Sequence, residues 1–130
     1  MLKALAWALI ALLLSMLPEW AKAGQPELSG RWTTADRGSL IEIAACPDMA
    51  GALCATVLAD QPAAGQPSLA GKQVGINFVP GKDGWSGQIL TEDGSALAAT
   101  ISLANASRLD LKVCVMAVFC DATSYWRVAP

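Results

Sequence analysis

In the segment RLDLKVCV, residues 108–115, apolar and polar side chains alternate along the whole length. Leu109, Leu111 and Val113 fall on one side of an extended chain, whereas Asp110 and Lys112 fall on the other. A period of two is typical of a β-strand that has one face on a core and the other in water. The segment therefore predicts a strand of an antiparallel sheet.

Seven further segments show short alternating or β-rich patterns between turns, and most of these turns contain glycine. No segment after Gly24 has the three-and-four spacing of apolar residues that an amphipathic helix needs. The predicted strands are residues 31–34, 40–45, 53–59, 72–79, 85–90, 96–103, 108–115 and 123–128. Eight short strands fit a closed barrel. The predicted fold class is therefore all-β, a small eight-stranded antiparallel barrel, with residues 61–71 as its longest loop and a mobile rim.

The N-terminal segment has the pattern of an export signal. A lysine at position 3 precedes an apolar run from Ala4 to Leu14, and Ala21-Lys22-Ala23 forms an Ala-x-Ala cleavage pattern. A membrane anchor is the alternative, but the run is short for a bilayer core of about 30 Å. We expect residues 1–23 to be a cleaved signal peptide and residues 24–130 to be a single domain, periplasmic or secreted, with no membrane span.

The composition argues against several classes of function. The 130 residues include no histidine, which removes the commonest general base and the commonest metal ligand. The formal net charge of −2 provides no basic stripe for phosphates, so nucleic acid is not an expected partner. The acidic pair Glu92-Asp93 lies beside Gly94, where a hairpin turn explains it. We expect no catalytic residue, no metal, no cofactor and no enzymatic activity.

The four cysteines form two sequence-local pairs. Cys46 and Cys54 flank one short segment, and Cys114 and Cys120 flank another. Of the three possible pairings, we predict the two local disulfides. A zinc site is the alternative, but without histidine it needs all four thiolates to converge in an oxidising compartment. The strand parity places Cys46 and Cys114 on the outer wall of the barrel.

Several short motifs occur in the order found in a known family. They are Gly30-Arg31-Trp32, Leu40-Ile41-Glu42-Ile43, Cys46 with Leu53-Cys54, Trp85-Ser86-Gly87, Asp93-Gly94, Leu109 to Cys114, and Tyr125-Trp126-Arg127. In these motifs the chain resembles the domain of unknown function 2147 (DUF2147) family of small exported bacterial proteins, over essentially all of residues 24–130. The resemblance implies a lipocalin-like (calycin-type) barrel, and this family has no established activity to transfer.

Gly30, Trp32 and Arg127 also resemble the lipocalin signature, in which an arginine of the last strand stacks on a tryptophan of the first. The resemblance implies that Trp32 and Arg127 close one end of the barrel. A guanidinium over an indole gains about 0.5 to 2 kcal/mol and leaves its N–H groups free to donate to carbonyl oxygens.

Two functions fit such a barrel. A barrel of eight strands encloses space for side chains or for one ligand, so the protein could bind a small apolar molecule in the interior or at the mouth. Alternatively, core side chains fill the interior, and the protein interacts with another envelope protein or maintains the envelope without a ligand. The ligand-binding residues are unknown from sequence, although Thr56, Gln73, Asn77 and Gln88 could orient a bound molecule if they face inward. An interior void large enough for a ligand would distinguish the two functions.

Overall fold

Eight antiparallel strands form a closed barrel in the computed structural model, which describes residues 28–129. The strands are β1 (Gly30–Thr33), β2 (Ser39–Ala45), β3 (Leu53–Asp60), β4 (Gln73–Gly81), β5 (Gly84–Leu90), β6 (Ala96–Asn105), β7 (Arg108–Val115) and β8 (Phe119–Arg127). Each strand pairs with the next, and β8 pairs with β1. The predicted all-β, eight-stranded antiparallel barrel is confirmed. The predicted signal peptide, residues 1–23, lies outside the described residues.

The largest difference from the predicted strands is at β8. This strand begins at Phe119 rather than at Thr123, because the β7–β8 ladder continues past Cys114 and Cys120 to the pair Val115 and Phe119. Residues 119–122 lie outside the strand predicted from sequence, and pairing with β7 adds them to β8.

The up-and-down order gives the barrel two different ends. The β1–β2, β3–β4, β5–β6 and β7–β8 connections lie at one end, which we call the open end. The remaining connections, together with Leu28 and the end of β8, lie at the opposite end, which we call the closed end. The long loop at residues 61–72 is therefore part of the rim of the open end.

The core consists of side chains that point inward from all eight strands and from the residues just before β1. The predicted period of two holds in β7, where Leu109 is buried while Leu111 and Val113 pack against the core, and Lys112 is exposed. The buried members are Leu28, Trp32, Ile43, Ala55, Phe78, Trp85, Ala99, Ile101 and Leu109. Trp32, Phe78 and Trp85 have the largest side chains of this set.

An irregularity in β4 places Phe78 in this core. The β4–β5 register shifts between Ile76 and Val79, and Asn77 has a φ of 59° there. Asparagine tolerates this left-handed conformation better than most residues do. The Phe78 ring lies against two glycines, because a Cβ added at Gly75 would be 3.0 Å from the ring and one at Gly87 2.7 Å. The two glycines thus leave the space that the aromatic ring fills.

Candidate functional site: an apolar cavity in the barrel

Trp32 and Arg127 lie together at the closed end. The Trp32 side chain is fully buried, and its Nε1 donates a hydrogen bond of 3.0 Å to the Leu28 carbonyl oxygen. The Arg127 guanidinium carbon lies 4.3 Å from the centre of the indole ring. Arg127 Nη1 donates to the Ser29 carbonyl oxygen and Nε to the Ala106 carbonyl oxygen, each at 2.9 Å. The arginine therefore joins the chain before β1 to the β6–β7 turn across the base of the barrel.

Gly30 is the third residue of this arrangement. Its φ is 135°, and a Cβ added there would lie 2.9 Å from Arg127 Nη1. A larger residue would displace the guanidinium from its carbonyl partners and would be strained in its backbone. The close approach of Arg127 therefore explains why a glycine stands at the first position of Gly30-Arg31-Trp32. The structure also brings Trp32 and Arg127 together, in the arrangement that the resemblance implied.

A cavity of about 270 Å³ occupies the barrel between this base and the open end. Its wall contains side chains from all eight strands and from the β3–β4 loop. The lining residues are Trp32, Ser39, Ile41, Ile43, Ala55, Val57, Leu69, Val74, Phe78, Ile89, Leu90, Ile101, Leu109, Leu111 and Tyr125. Among the described residues that line the cavity, none is charged and only Ser39 and Tyr125 have a polar side-chain group besides the indole of Trp32, whose N–H is already bonded. The core side chains thus leave room inside the barrel.

Leu69 reaches the cavity from the rim loop because Asp60 holds this loop. The Asp60 carboxylate accepts hydrogen bonds from the Ser68 hydroxyl and from the Leu69 amide, the latter at 2.7 Å. These two bonds, the Ser68 hydroxyl first, lower the pKa of Asp60. The loop is also bonded to β3 through the Gly71 amide and the Val57 carbonyl oxygen, at 2.7 Å. Leu69 is the apolar residue that this loop places at the mouth.

Tyr125 is the principal polar group of the cavity. Two residues before Arg127 on β8, it has the same inward parity, and it pairs with the buried Leu109. Its hydroxyl makes no hydrogen bond to another residue within 28–129, and burial raises its pKa, so it stays protonated and able to donate. Tyr125 is not among the polar residues considered from sequence as ligand-orienting, although its spacing of two from Arg127 is the signal in the sequence that indicates its inward position.

The polar residues that the sequence analysis considered do not line the cavity. Thr56, Gln73, Asn77 and Gln88 are absent from its wall, and the last three are exposed. Thr56 lies between the lining residues Ala55 and Val57, so regular alternation points it away from the cavity. The condition that these polar residues face inward is therefore not met.

Two disulfides cross-link neighbouring strands outside the central core of the barrel. Cys46 is bonded to Cys54, and Cys114 to Cys120, with Cα–Cα distances of 4.9 and 4.0 Å. The Cys114–Cys120 bridge lies on the outer face, opposite to the side of Leu111 and Val113. The Cys46–Cys54 bridge also lies outside the central core, but it is not solvent-exposed as an outer-wall position would suggest. The β2–β3 loop covers it, so Cys46, Cys54 and Ala52 are buried with Ile76 packed against them.

Hydrogen bonds to one carboxylate hold the acidic turn at residues 91–95. The Asp93 carboxylate accepts hydrogen bonds from the hydroxyls of Ser95 and Thr91 and from the Ser95 amide, and these bonds lower its pKa to about 2. The donors close the β5–β6 turn around an ionised carboxylate. In the part of the chain that the structure describes, no group of three or more Cys, Asp or Glu side chains could hold a metal ion.

Wider grooves lie on the outer surface beside β1. Polar, charged and apolar side chains line them, including those of Thr33, Arg37, Leu40 and Arg127. The grooves lie where β1 pairs with β8 through two residue pairs only. Apolar ligands prefer a mostly apolar wall, so the interior cavity is the better candidate site.

The closed eight-stranded antiparallel barrel, with its apolar interior and Trp–Arg closure, is consistent with a lipocalin-like protein. The family described as an uncharacterized protein conserved in bacteria (DUF2147) matches residues 30–127, and the chain belongs to this family. No curated protein and no solved structure matches the chain. Two disulfides in a bacterial family indicate an oxidising, exported environment. Within residues 28–129 there is no helix long and apolar enough to cross a membrane.

Proposed function

We propose that the protein is a non-enzymatic carrier that binds one small, neutral, apolar molecule inside the barrel. The observation that carries this proposal is the cavity of about 270 Å³ and its apolar wall. Dry apolar cavities bind apolar ligands readily, and one of about 150 Å³ accepts benzene. At the same cavity volume per ligand atom, this cavity would hold a ligand of about ten non-hydrogen atoms. The carrier would act in the periplasm or after secretion, once residues 1–23 have been removed.

The wall chemistry supports a neutral ligand over a charged one. A carboxylate or an ammonium group in the cavity would lose its hydration and would meet no opposite charge among the lining residues. A single hydroxyl or carbonyl group, by contrast, could bond to the Tyr125 hydroxyl, which has no partner within residues 28–129. The ligand class is therefore an apolar ring or short chain with at most one neutral polar group.

Native mass spectrometry of the protein purified from its own cell envelope tests whether a small molecule copurifies. Fluorescence titration with 2-naphthol, a neutral probe of the proposed size, tests the cavity directly. We expect saturable 1:1 binding of 2-naphthol and much weaker binding of the anion 2-naphthoate. Absence of saturable binding of 2-naphthol, with no copurifying molecule, would refute the proposal.

A matched pair of variants on β7 distinguishes the interior from the surface. Leu111 lines the cavity, whereas Lys112 points outward from the same strand and is exposed. Leu111→Trp should fill the cavity and abolish 2-naphthol binding, while Lys112→Trp adds the same indole to the outer wall and should leave the affinity unchanged. Equal binding by both variants would place the probe elsewhere on the protein. Circular dichroism and thermal melting check that both variants are folded.

The alternative predicted from sequence, a filled barrel that acts only through another envelope protein, has less support. It requires an interior without room for a ligand, whereas the cavity lies within the core itself.

A further inference from the structure

The turn between β7 and β8 presents an apolar surface to solvent. We call residues 115–119, with the sequence VMAVF, the apolar tip. Met116 is 83% exposed, Val118 78% and Phe119 72%, the highest values among the exposed large apolar residues of the described chain. No side chain in the tip has a hydrogen-bonding N–H or O–H group. Such a run of exposed apolar residues at a projecting turn marks an interaction site more often than an ordinary surface.

The tip is held in a fixed shape. The Cys114–Cys120 disulfide closes the hairpin immediately below it, and Val115 pairs with Phe119. Met116 and Ala117 both have positive φ, 57° and 60°, a conformation that glycine and asparagine adopt more readily. The turn thus carries apolar side chains at positions where backbone geometry favours other residues. A fixed shape also lowers the entropy that the tip would lose on binding.

The tip continues the inner wall of the barrel beyond the rim. In β7, Leu111 lines the cavity, Val113 packs against the core and Val115 follows with the same parity. In β8, Phe119 faces the same side as its partner Val115. An apolar track therefore runs along β7 from the cavity to the tip. On β8, Asp121 pairs with Val113 and faces the same side, so an ionisable residue borders the track at the mouth.

We infer that the apolar tip inserts into a lipid bilayer surface and holds the open end of the barrel against it. A hydrocarbon surface fits the tip because it deforms around a projecting turn and requires no hydrogen bonds from it, whereas protein interfaces surround their apolar centre with polar contacts. Asp121 and the absence of basic residues in the tip favour neutral lipids over anionic ones. Uptake of a ligand from the bilayer rests on the proposed function, but insertion of the tip does not.

Flotation with neutral phosphatidylcholine vesicles tests insertion, using protein that has been exported and processed by the cell. We expect vesicle binding that persists at about 0.5 M salt, where exposed charges are screened. The tip variant Val118→Ser/Phe119→Ser should bind at least about tenfold more weakly, because two apolar side chains no longer leave water. Met49→Ser/Val79→Ser is the matched control, since it removes two exposed apolar residues near the closed end and should bind as wild type does.

A second measurement locates the inserted residue. Met116→Trp places an indole at the tip, and Met49→Trp places one in the β2–β3 loop at the closed end. With vesicles of brominated phosphatidylcholine, we expect a blue shift and quenching of the tryptophan introduced at position 116 but not of that at position 49. Equal quenching of both, or of neither, would overturn the proposed insertion.

Other outcomes are equally decisive. Sedimentation that shows a concentration-dependent dimer, lost in the tip variant and accompanied by no vesicle binding, would assign the tip to a second copy and overturn the inference. Binding that disappears at high salt would assign it to surface charge and do the same. The tip variant should still bind 2-naphthol in vesicle-free buffer, so failure of the carrier function and failure of insertion are separately visible.

Discussion

At the scale of single residues, Arg127 joins several parts of the closed end through its side chain. Its guanidinium covers the Trp32 ring and donates to carbonyl oxygens of two segments that are distant in sequence. Because a planar guanidinium can stack and donate in several directions at once, a lysine cannot replace it. The arginine therefore fixes the position of residues 28–30 under the barrel.

We predict that Arg127→Lys lowers the free energy of unfolding by about 1 to 3 kcal/mol, through the lost stacking and the carbonyl oxygens left without donors. Arg31→Ala is the control, because Arg31 forms an exposed ion pair with Glu42 at 3.8 Å. Such a surface pair contributes about 0 to 1 kcal/mol. Urea unfolding of both variants measures the difference, and an equal loss in both would contradict the role given to Arg127.

The lowered pKa of Asp93 makes the free energy of unfolding depend on pH. Its hydrogen bonds from Ser95 and Thr91 lower its folded-state pKa to about 2, below its unfolded value. A lowered pKa adds stability that is fully present above the unfolded pKa of about 4 and is lost as the pH falls through the folded pKa.

We therefore expect wild type to melt at a higher temperature than Asp93→Asn at neutral pH, with the difference shrinking as the pH falls from about 4 to about 2. Thermal melts of both proteins across this range provide the measurement. A difference that stays constant with pH would show that the hydrogen bonds, and not the charge, account for the effect.

At the scale of the elements, β4 and β5 pack closely because of their glycines. A Cβ at Gly87 would lie 2.7 Å from both the Ile76 carbonyl oxygen and the Phe78 ring. We predict that Gly87→Ala destabilises the barrel by about 1 to 3 kcal/mol, as overpacked cores do. At Gly81, in contrast, the nearest atom to an added Cβ would be 3.6 Å away, so Gly81→Ala should have little effect. Chemical denaturation of the two variants compares them directly.

The disulfides stabilise two of the hairpins. Each closes a short loop, which predicts about 2.5 kcal/mol per bridge from the reduced entropy of the unfolded chain. We expect Cys114→Ser/Cys120→Ser and Cys46→Ser/Cys54→Ser each to lower the melting temperature, the second pair more because it also removes buried packing with Ile76. Dithiothreitol should lower the wild-type value and leave unchanged that of a variant lacking all four cysteines. No change in wild type would mean that the bridges add nothing.

At the scale of the whole molecule, the cavity links ligand binding to stability. A molecule that binds only the closed barrel stabilises it by about 2.7 kcal/mol when its concentration is a hundredfold above the Kd. We expect 2-naphthol to raise the melting temperature of the wild type and of Lys112→Trp, but not that of Leu111→Trp, whose cavity is filled. An identical rise in all three would point to surface binding.

The sequence by itself determined the all-β class, the number of strands and their approximate bounds, because alternation and turn residues act over a few neighbouring positions. It also indicated the local cysteine pairs, and the resemblance pointed to Trp32 and Arg127. Only the tertiary structure decided that the interior keeps a cavity, that Tyr125 and Leu69 face it, that Cys46 is buried and that the apolar tip continues the inner wall. These features depend on register shifts, on contacts between distant strands and on how side-chain volumes fill the closed barrel, and a local pattern contains none of this information.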